Sequence, residues 1–282
     1  MKFHLDTANI FVPDGLPVDQ ALARTTHLCI GAHQDDLEIM APGAILECFQ
    51  SQEKWFTGVV VTDGRGSPRH GIYEKHTDDE MRLVRFAEQR KAATVGEYAS
   101  QVILDYPSSV LKKGISETPV TDIASILLAT RPQVVFTHNL ADKHDTHVAV
   151  ALKVIAAIRG LPESNQPGKL YGCEVWRGLD WMVDSDKVTF DVSNQENLQA
   201  ALLGVYDSQI SGGKRYDLAT LARQRANATF FEPNDVDNAT ALNFTMDMTP
   251  LLTEPDTSPA DFVLAYIRRF ELEVSNRLKR LD

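Results

Sequence analysis

Residues 26–36 read Thr-His-Leu-Cys-Ile-Gly-Ala-His-Gln-Asp-Asp, an apolar run that ends in a histidine and two consecutive carboxylates. The run predicts a buried strand over residues 26–32, followed by a tight turn. Such a turn can aim one carboxylate at a metal beside His33 and leave the other carboxylate free as a base. We therefore interpret residues 33–36 as one half of a metal site.

A second polar cluster, residues 144–147, reads His-Asp-Thr-His and follows another strand-like run at 133–138. In parallel α/β sheets, ligands bind at the carboxyl ends of the strands. Both histidine clusters follow predicted strands at this end, so we expect them to meet at one edge of a sheet. The pattern favours a metal-dependent hydrolase.

Alternating strand and helix patterns predict an α/β fold with a largely parallel sheet and flanking crossover helices. We expect strands at residues 26–32, 57–62, 101–104, 133–137, 174–176 and 187–192. We expect helices that begin at Pro42 and that cover residues 82–95, 121–130, 148–159, 197–205 and 259–279. Residues 161–169 are predicted to form a loop. We expect one domain over 1–282, with a catalytic core at about 20–160 and a C-terminal portion, 161–282, that completes the sheet and shapes the pocket.

Composition narrows the possible partners and location. The net charge of −11 argues against nucleic acid or an anionic membrane surface as a partner. The three cysteines lack regular spacing and fit a reducing compartment. Residues 1–20 lack the apolar segment of a signal peptide, and no run approaches the roughly 18 apolar residues of a membrane span. We expect a cytoplasmic protein.

His33, Asp36 and His147 together offer two imidazoles and one carboxylate, a donor set that zinc hydrolases use. The same donors suit Fe²⁺, so Zn²⁺ is the first expectation and Fe²⁺ the second. Asp35 would then take a proton from the activated water, and His144 could stabilise an oxyanion and protonate a leaving amine. The alternatives are structural histidines after strands and an acidic pair at a helix N-terminus.

Four short motifs resemble those of one family. Ala-His-Gln-Asp-Asp at 32–36 resembles the Ala-His-Pro-Asp-Asp signature of the PIG-L (LmbE-like) N-acetylglucosaminyl deacetylases. Residues 60–64, 85–96 and 144–147 are similar, in the same order, to the family's Thr-x-Gly, Arg-x-x-Glu and His-Pro-Asp-His motifs. The resemblance covers residues 26–152 and implies a Rossmann-like fold, a bound Zn²⁺ and removal of acetyl groups from N-acetylglucosamine-type sugars.

Carried over by position, the resemblance makes His33, Asp36 and His147 the metal ligands and Asp35 the general base. His144 would be the oxyanion partner and acid, and Arg85 would contact the substrate.

The chain departs from the family pattern at several positions. Gln34 replaces the motif's proline, and Thr146 replaces an aspartate that can support the neighbouring histidine. The loss of that aspartate should lower the pKa of His144, unless Asp142 or Asp145 takes its role. Residues 107–109 read Pro-Ser-Ser where the family often has a Pro-Asp-Gly turn, which puts substrate contacts there in doubt.

Two segments outside the motifs bear on the substrate. Trp176, Trp181 and Arg177 lie close together in sequence, and an indole could form a wall for a sugar ring beside the guanidinium. The alternative is that both tryptophans pack in the core. Residues 207–217 contain Gly-Gly-Lys but lack the spacing of a phosphate-binding loop. We expect this segment either to close over the substrate or to contact a neighbouring subunit in a homo-oligomer.

Three other functions are alternatives to deacetylation of an amino sugar or glycoside. An amidase of a sugar–thiol conjugate needs the same groups and a wider pocket. A non-catalytic, metal-containing glycan-binding protein would account for Thr146 but leaves Asp35 without a role. A receiver-like phosphoacceptor domain would use the acidic pair but leaves all three histidines unexplained.

Overall fold

The computed structural model describes residues 1–114, 117–254 and 256–282. These residues form one eight-stranded sheet with helices on both faces, which confirms the predicted α/β fold. The strands, in chain order, are β1 Asn9–Phe11, β2 His27–Gly31, β3 Phe56–Thr62, β4 Ser100–Tyr106, β5 Val134–His138, β6 Lys169–Cys173, β7 Lys187–Asp191 and β8 Leu242–Asp247.

The order of strands across the sheet is β1-β4-β3-β2-β5-β6-β8-β7. Strands β4, β3, β2, β5 and β6 run parallel, whereas β1, β8 and β7 each pair antiparallel with a neighbour. The chain moves outward from β2 to β3 and β4, and then returns to place β5 on the other side of β2. The order therefore reverses between β2 and β5, and this switch point is where open α/β sheets bind ligands.

The helices cover the sheet because its central strands are apolar on both faces. Leu28 and Ile30 of β2 join one core cluster, and Cys29 between them joins the other. This two-sided burial is typical of a parallel sheet between helical layers. The helices are α1 Val18–Ala23, α2 Asp36–Met40, α3 Pro42–Cys48, α4 Asp78–Val95, α5 Ser108–Leu111, α6 Glu117–Thr130, α7 Asp145–Arg159, α8 Glu196–Gly204, α9 Asp207–Ile210, α10 Tyr216–Phe231, α11 Pro250–Thr253 and α12 Pro259–Leu281.

One predicted strand is wrong and others were missed. Residues 174–176 form irregular structure after the true strand β6, which begins at the end of the segment predicted as a loop. Strands β1 and β8 were not predicted, because short edge or antiparallel strands carry a weak pattern that only their partners stabilise. The C-terminal portion contributes β6, β7 and β8 to the same sheet. The single-domain organisation stays a prediction.

Cys29, Cys48 and Cys173 are buried and free. No helix among the described residues combines the length and the apolar character that a membrane span requires.

A glycine in β3 sets how closely α2 packs on the sheet. A Cβ atom at Gly58 would lie 2.5 Å from Gln101 Oε1 and 2.6 Å from Leu37 Cδ1, and Leu37 belongs to α2. We expect Gly58→Ala to lower the free energy of unfolding by roughly 1–3 kcal/mol through overpacking. Urea denaturation measures this change. Gly204→Ala is the matched control because a Cβ atom there meets nothing within 4 Å. Equal stability of the two variants would contradict this account.

Candidate metal and catalytic site

The first half of the site is the turn between β2 and α2. A Cβ atom at Gly31 would lie 2.9 Å from Leu37 Cδ2, so a glycine allows the chain to fold back tightly here. Asp35 adopts a left-handed backbone conformation, with φ 92°, immediately before α2 begins at Asp36. The His33 backbone N–H donates to Asp36 Oδ2 at 2.6 Å. The turn thus directs His33 and Asp36 to the same point.

The second half is the loop between β5 and α7. Asp142 organises this loop, because its carboxylate accepts the backbone N–H groups of His144 at 2.9 Å and Trp176 at 3.1 Å. His144 is the residue that precedes α7, and His147 lies in the first turn of that helix. Their rings are 4.5 Å apart, so the two histidines share one helix face as the spacing predicts.

The three residues predicted as metal ligands converge. His33 Nδ1 lies 3.1 Å from His147 Nε2 and 3.3 Å from Asp36 Oδ2, and His147 Nε2 lies 3.4 Å from Asp36 Oδ1. A tetrahedral ion with ligand bonds of about 2.0–2.1 Å separates its ligand atoms by about 3.3 Å. The spacing therefore fits a divalent metal, and we call these three residues the His–Asp cluster.

The electrostatics of the cluster also suit a metal. Burial lowers the pKa of His147 to about 4, which keeps this imidazole neutral at physiological pH. Burial alone would raise the pKa of Asp36, but the neighbouring His147 and His138 hold it well below its usual range. An ionised carboxylate and a neutral imidazole are the forms that bind metal ions.

His138, at the end of β5, is a site residue that the sequence analysis did not single out. Its Nε2 lies 3.4 Å from Asp36 Oδ2, and its ring stacks on that of His147 at 3.9 Å. That same Nε2 accepts the backbone N–H of Ala32 at 2.9 Å, which occupies the lone pair that a metal would need. We interpret His138 as a support for the cluster. Its position as the last residue of a predicted strand on this edge was the available signal.

Asp35, the predicted base, is buried beside the cluster and is held by Arg85. Burial raises the pKa of Asp35 to about 7, although Arg85 opposes this shift. Arg85 Nη2 lies 3.1 Å from Asp35 Oδ2 and also donates to the Gln34 carbonyl. Its Nη1 donates to Glu88 Oε2 at 3.0 Å, and Glu88 in turn accepts the Ser208 backbone N–H at 2.7 Å. Arg85 lines the cavity, but these bonds suit it mainly to position Asp35.

His144, the predicted acid, lies at the mouth of the cluster. Its ring meets that of His33 edge-on at 5.0 Å, and it is half-buried in the cavity wall. Thr146, where the family has an aspartate, is fully buried, and neither its hydroxyl nor His144 Nδ1 has a hydrogen-bond partner among the described residues. The pKa of His144 is lowered, chiefly by burial and then by the charge of His33. These causes are separate from the missing aspartate, so its effect on His144 stays a prediction. The Asp142 carboxylate lies 3.6 Å from His147 Nδ1 and is directed at that imidazole.

Asp142 supports the cluster from outside. Its Oδ2 lies 3.6 Å from His147 Nδ1, and its side chain is fully buried. Groups that orient a metal-binding histidine typically contribute 10- to 100-fold to metal affinity. We expect Asp142→Asn to weaken binding of Zn²⁺ by about 10- to 100-fold, as measured by competition with a chelator. The exposed neighbour Asp145 provides the control Asp145→Asn, and equal affinities of both variants would contradict the role of Asp142.

The cluster opens into a cavity of about 660 Å³. Trp176 lines it and stacks near His144 at 6.1 Å, whereas Trp181 packs against the hydrophobic core. The core position of the alternative thus applies to Trp181, whereas the role of Trp176 as a wall for a sugar ring stays a prediction. Arg177 is exposed, and the described lining residues do not include it. Segment 207–217 reaches the cavity through Gln209, Lys214 and Tyr216.

The protein thus combines an α/β fold with a His–Asp cluster that suits a divalent metal. The cluster opens into a cavity at the switch point of the sheet. Residues 28–158 match the family model PIG-L, described as GlcNAc-PI de-N-acetylase. This stretch is therefore similar to the PIG-L family, as the motifs indicated.

Solved structures share the fold at low sequence identity. N,N'-diacetylchitobiose deacetylase from Pyrococcus horikoshii is 17% identical, with a TM-score of 0.64, over 82% of this chain and 86% of that chain. A conserved protein from Thermus thermophilus is 18% identical, with a TM-score of 0.63, over 83% and 99%. The 4-carboxy-2-hydroxymuconate hydratase GalB from Pseudomonas putida is 17% identical, with a TM-score of 0.61, over 79% and 96%. The comparison with curated proteins found no match.

Proposed function

We propose that this protein is a zinc-dependent hydrolase that removes an acetyl group from an N-acetylated amino sugar or glycoside. The observation that carries the proposal is the convergence of His33, Asp36 and His147 at ligand spacing, with Asp35 buried beside them. A buried carboxylate next to a metal-binding set serves hydrolysis, whereas a purely structural metal would not need it.

Different residues of the chain would bind the metal, transfer protons and stabilise charge during amide hydrolysis. His33, Asp36 and His147 would hold the metal, which when bound supplies Lewis-acid activation of water. Asp35, positioned by Arg85, accepts the proton of the attacking water. His144 faces the cavity, where it stabilises negative charge on the amide oxygen and donates a proton to the leaving amine.

Zn²⁺ is our first choice of metal and Fe²⁺ the second, because two imidazoles and a carboxylate suit both ions. The choice of an acylated sugar is supported by the similarity to a deacetylase of N,N'-diacetylchitobiose and by the indole of Trp176 in the cavity wall. GalB shows that proteins of this fold also catalyse hydration, so fold alone does not select the reaction. We also place the protein in the cytoplasm.

Acetate release tests the proposal directly. Protein loaded with Zn²⁺ or Fe²⁺ is expected to release acetate from the methyl glycoside of N-acetylglucosamine, and removal of the metal with a chelator should abolish this release. Re-addition of one metal should restore it and identify the preferred ion. Stoichiometric metal with no turnover of any acylated sugar would overturn the enzymatic proposal and favour a glycan-binding role.

A further inference from the structure

The cavity carries a charge opposite to that of the whole molecule. The chain has a net charge of −11. Beyond the His–Asp cluster, His144 and the Asp35–Arg85 pair, however, the charged side chains that line the cavity are Lys112, Lys214 and Arg223. No carboxylate among the described lining residues balances these three cations. A cationic lining within an acidic protein attracts small anions while the remaining surface repels large polyanions.

Two of the three cations are free to bind a ligand. Arg223 donates to the Val175 carbonyl. Burial raises the pKa of Glu174, and the charge of Arg223 opposes this shift. Lys112 and Lys214 are exposed to the cavity side, and neither has an ion pair within the part of the chain that the structure describes. Arg223 is thus committed to the protein, whereas the two ammonium groups have unused hydrogen-bond donors.

Lys214 lies next to the wall that adjoins the reacting groups. Its Nζ is 5.2 Å from the centroid of the Trp176 ring, and the same ring stacks near His144 at 6.1 Å. Lys143 adds a second ammonium group 5.8 Å from that centroid. A substrate with its amide at His144 would therefore meet positive charge beside the indole.

The position of Lys214 in the cavity wall suggests a role for the Gly-Gly-Lys sequence in segment 207–217. The Lys214 backbone N–H donates to the Gln209 carbonyl at 2.9 Å, which closes the turn, and both residues line the cavity. The segment is no phosphate-binding loop, because it lacks the spacing of one. It instead presents one lysine side chain to the ligand, as a point charge.

We propose that the substrate carries an anionic group, a carboxylate or a phosphate, remote from its N-acetyl group, and that Lys214 beside Trp176 binds this group with support from Lys112. This inference rests on the proposed deacetylation and narrows its substrate class. Anionic N-acetylated amines should be bound more tightly than neutral ones of the same size.

Three matched substrates test the inference on the metal-loaded protein: the methyl glycoside, the carboxymethyl glycoside and the 1-phosphate of N-acetylglucosamine. We expect kcat/KM to be at least about fivefold higher for an anionic substrate, mainly through a lower KM, with the advantage shrinking at high salt. Whichever anion is preferred identifies the group. Lys214→Glu should remove this advantage, so that kcat/KM for the anionic substrates falls to that of the methyl glycoside or below it.

Lys113→Glu is the matched control, because Lys113 is exposed near Lys112 but does not line the cavity. It should retain the full preference for anions. Equal kcat/KM for charged and neutral substrates, or a preference that survives Lys214→Glu, would overturn the inference and leave deacetylation intact. No turnover of any of the three substrates would instead refute the proposed function.

Discussion

Replacement of His147 by alanine is expected to reduce bound metal from about one ion per chain to nearly none, and to abolish acetate release. The side chain of His147 is fully buried, and its Nε2 lies within 3.4 Å of both other cluster residues. Its loss would leave one imidazole and one carboxylate, too few ligands for a tight site. Mass spectrometry of the metal in purified protein measures the result.

Two further histidine variants sharpen this experiment. His70→Ala removes an exposed histidine outside the described cavity lining and should keep its metal. Two other groups of side chains lie close enough to hold a metal, namely His138 with Asp36 and His147, and His144 with His33 and His147. His33→Ala distinguishes the His–Asp cluster from the group that contains His138. Loss of metal in His33→Ala supports our assignment. Full occupancy in that variant would contradict it and make His138 the ligand.

Replacement of Asp35 by asparagine is expected to lower kcat by about 10²- to 10⁴-fold while the metal stays bound. Asparagine cannot accept the proton of the attacking water, and Asp35 is not one of the cluster residues. Asparagine also tolerates the left-handed backbone conformation that Asp35 adopts, so this substitution adds little strain to the turn. Acetate release and metal content should be measured on the same preparation.

The three possible results of the Asp35→Asn experiment lead to different conclusions. A low rate with full metal content supports Asp35 as the base. A wild-type rate would refute that role. Loss of metal together with activity would show that Asp35 belongs to the metal site itself, contrary to its assignment as the partner of Arg85.

The parallel core of the fold could be predicted because its strands carry a strong local pattern. Strand β2 is buried on both faces and therefore reads as a continuous apolar run that ends in polar groups. The incorrect strand at residues 174–176 shows where this argument fails. Val175 and Trp176 are apolar because they line the cavity, and a short apolar run does not distinguish a strand from a ligand-binding wall.

The different positions of Trp176 and Trp181 in the fold could not be predicted for a similar reason. They are five positions apart in one segment, yet one lines the cavity and the other joins the core. The local sequence shows that both side chains are apolar. It carries no information about whether each one packs in the core or lines the cavity. The role of His138 was hidden for the same reason, because its partners Ala32 and Asp36 lie on a different strand–helix turn.

Local patterns in the sequence were sufficient to predict which donor side chains follow which strands, and therefore that His33, Asp36 and His147 could meet at one edge of a parallel sheet. That inference holds because strand direction is local and parallel strands present their ends together. Three features became apparent only in the folded protein: the spacing of the candidate ligand atoms, the pairing of Asp35 with Arg85 and the cationic lining that includes Lys214. These depend on long-range packing between segments, which no local pattern encodes.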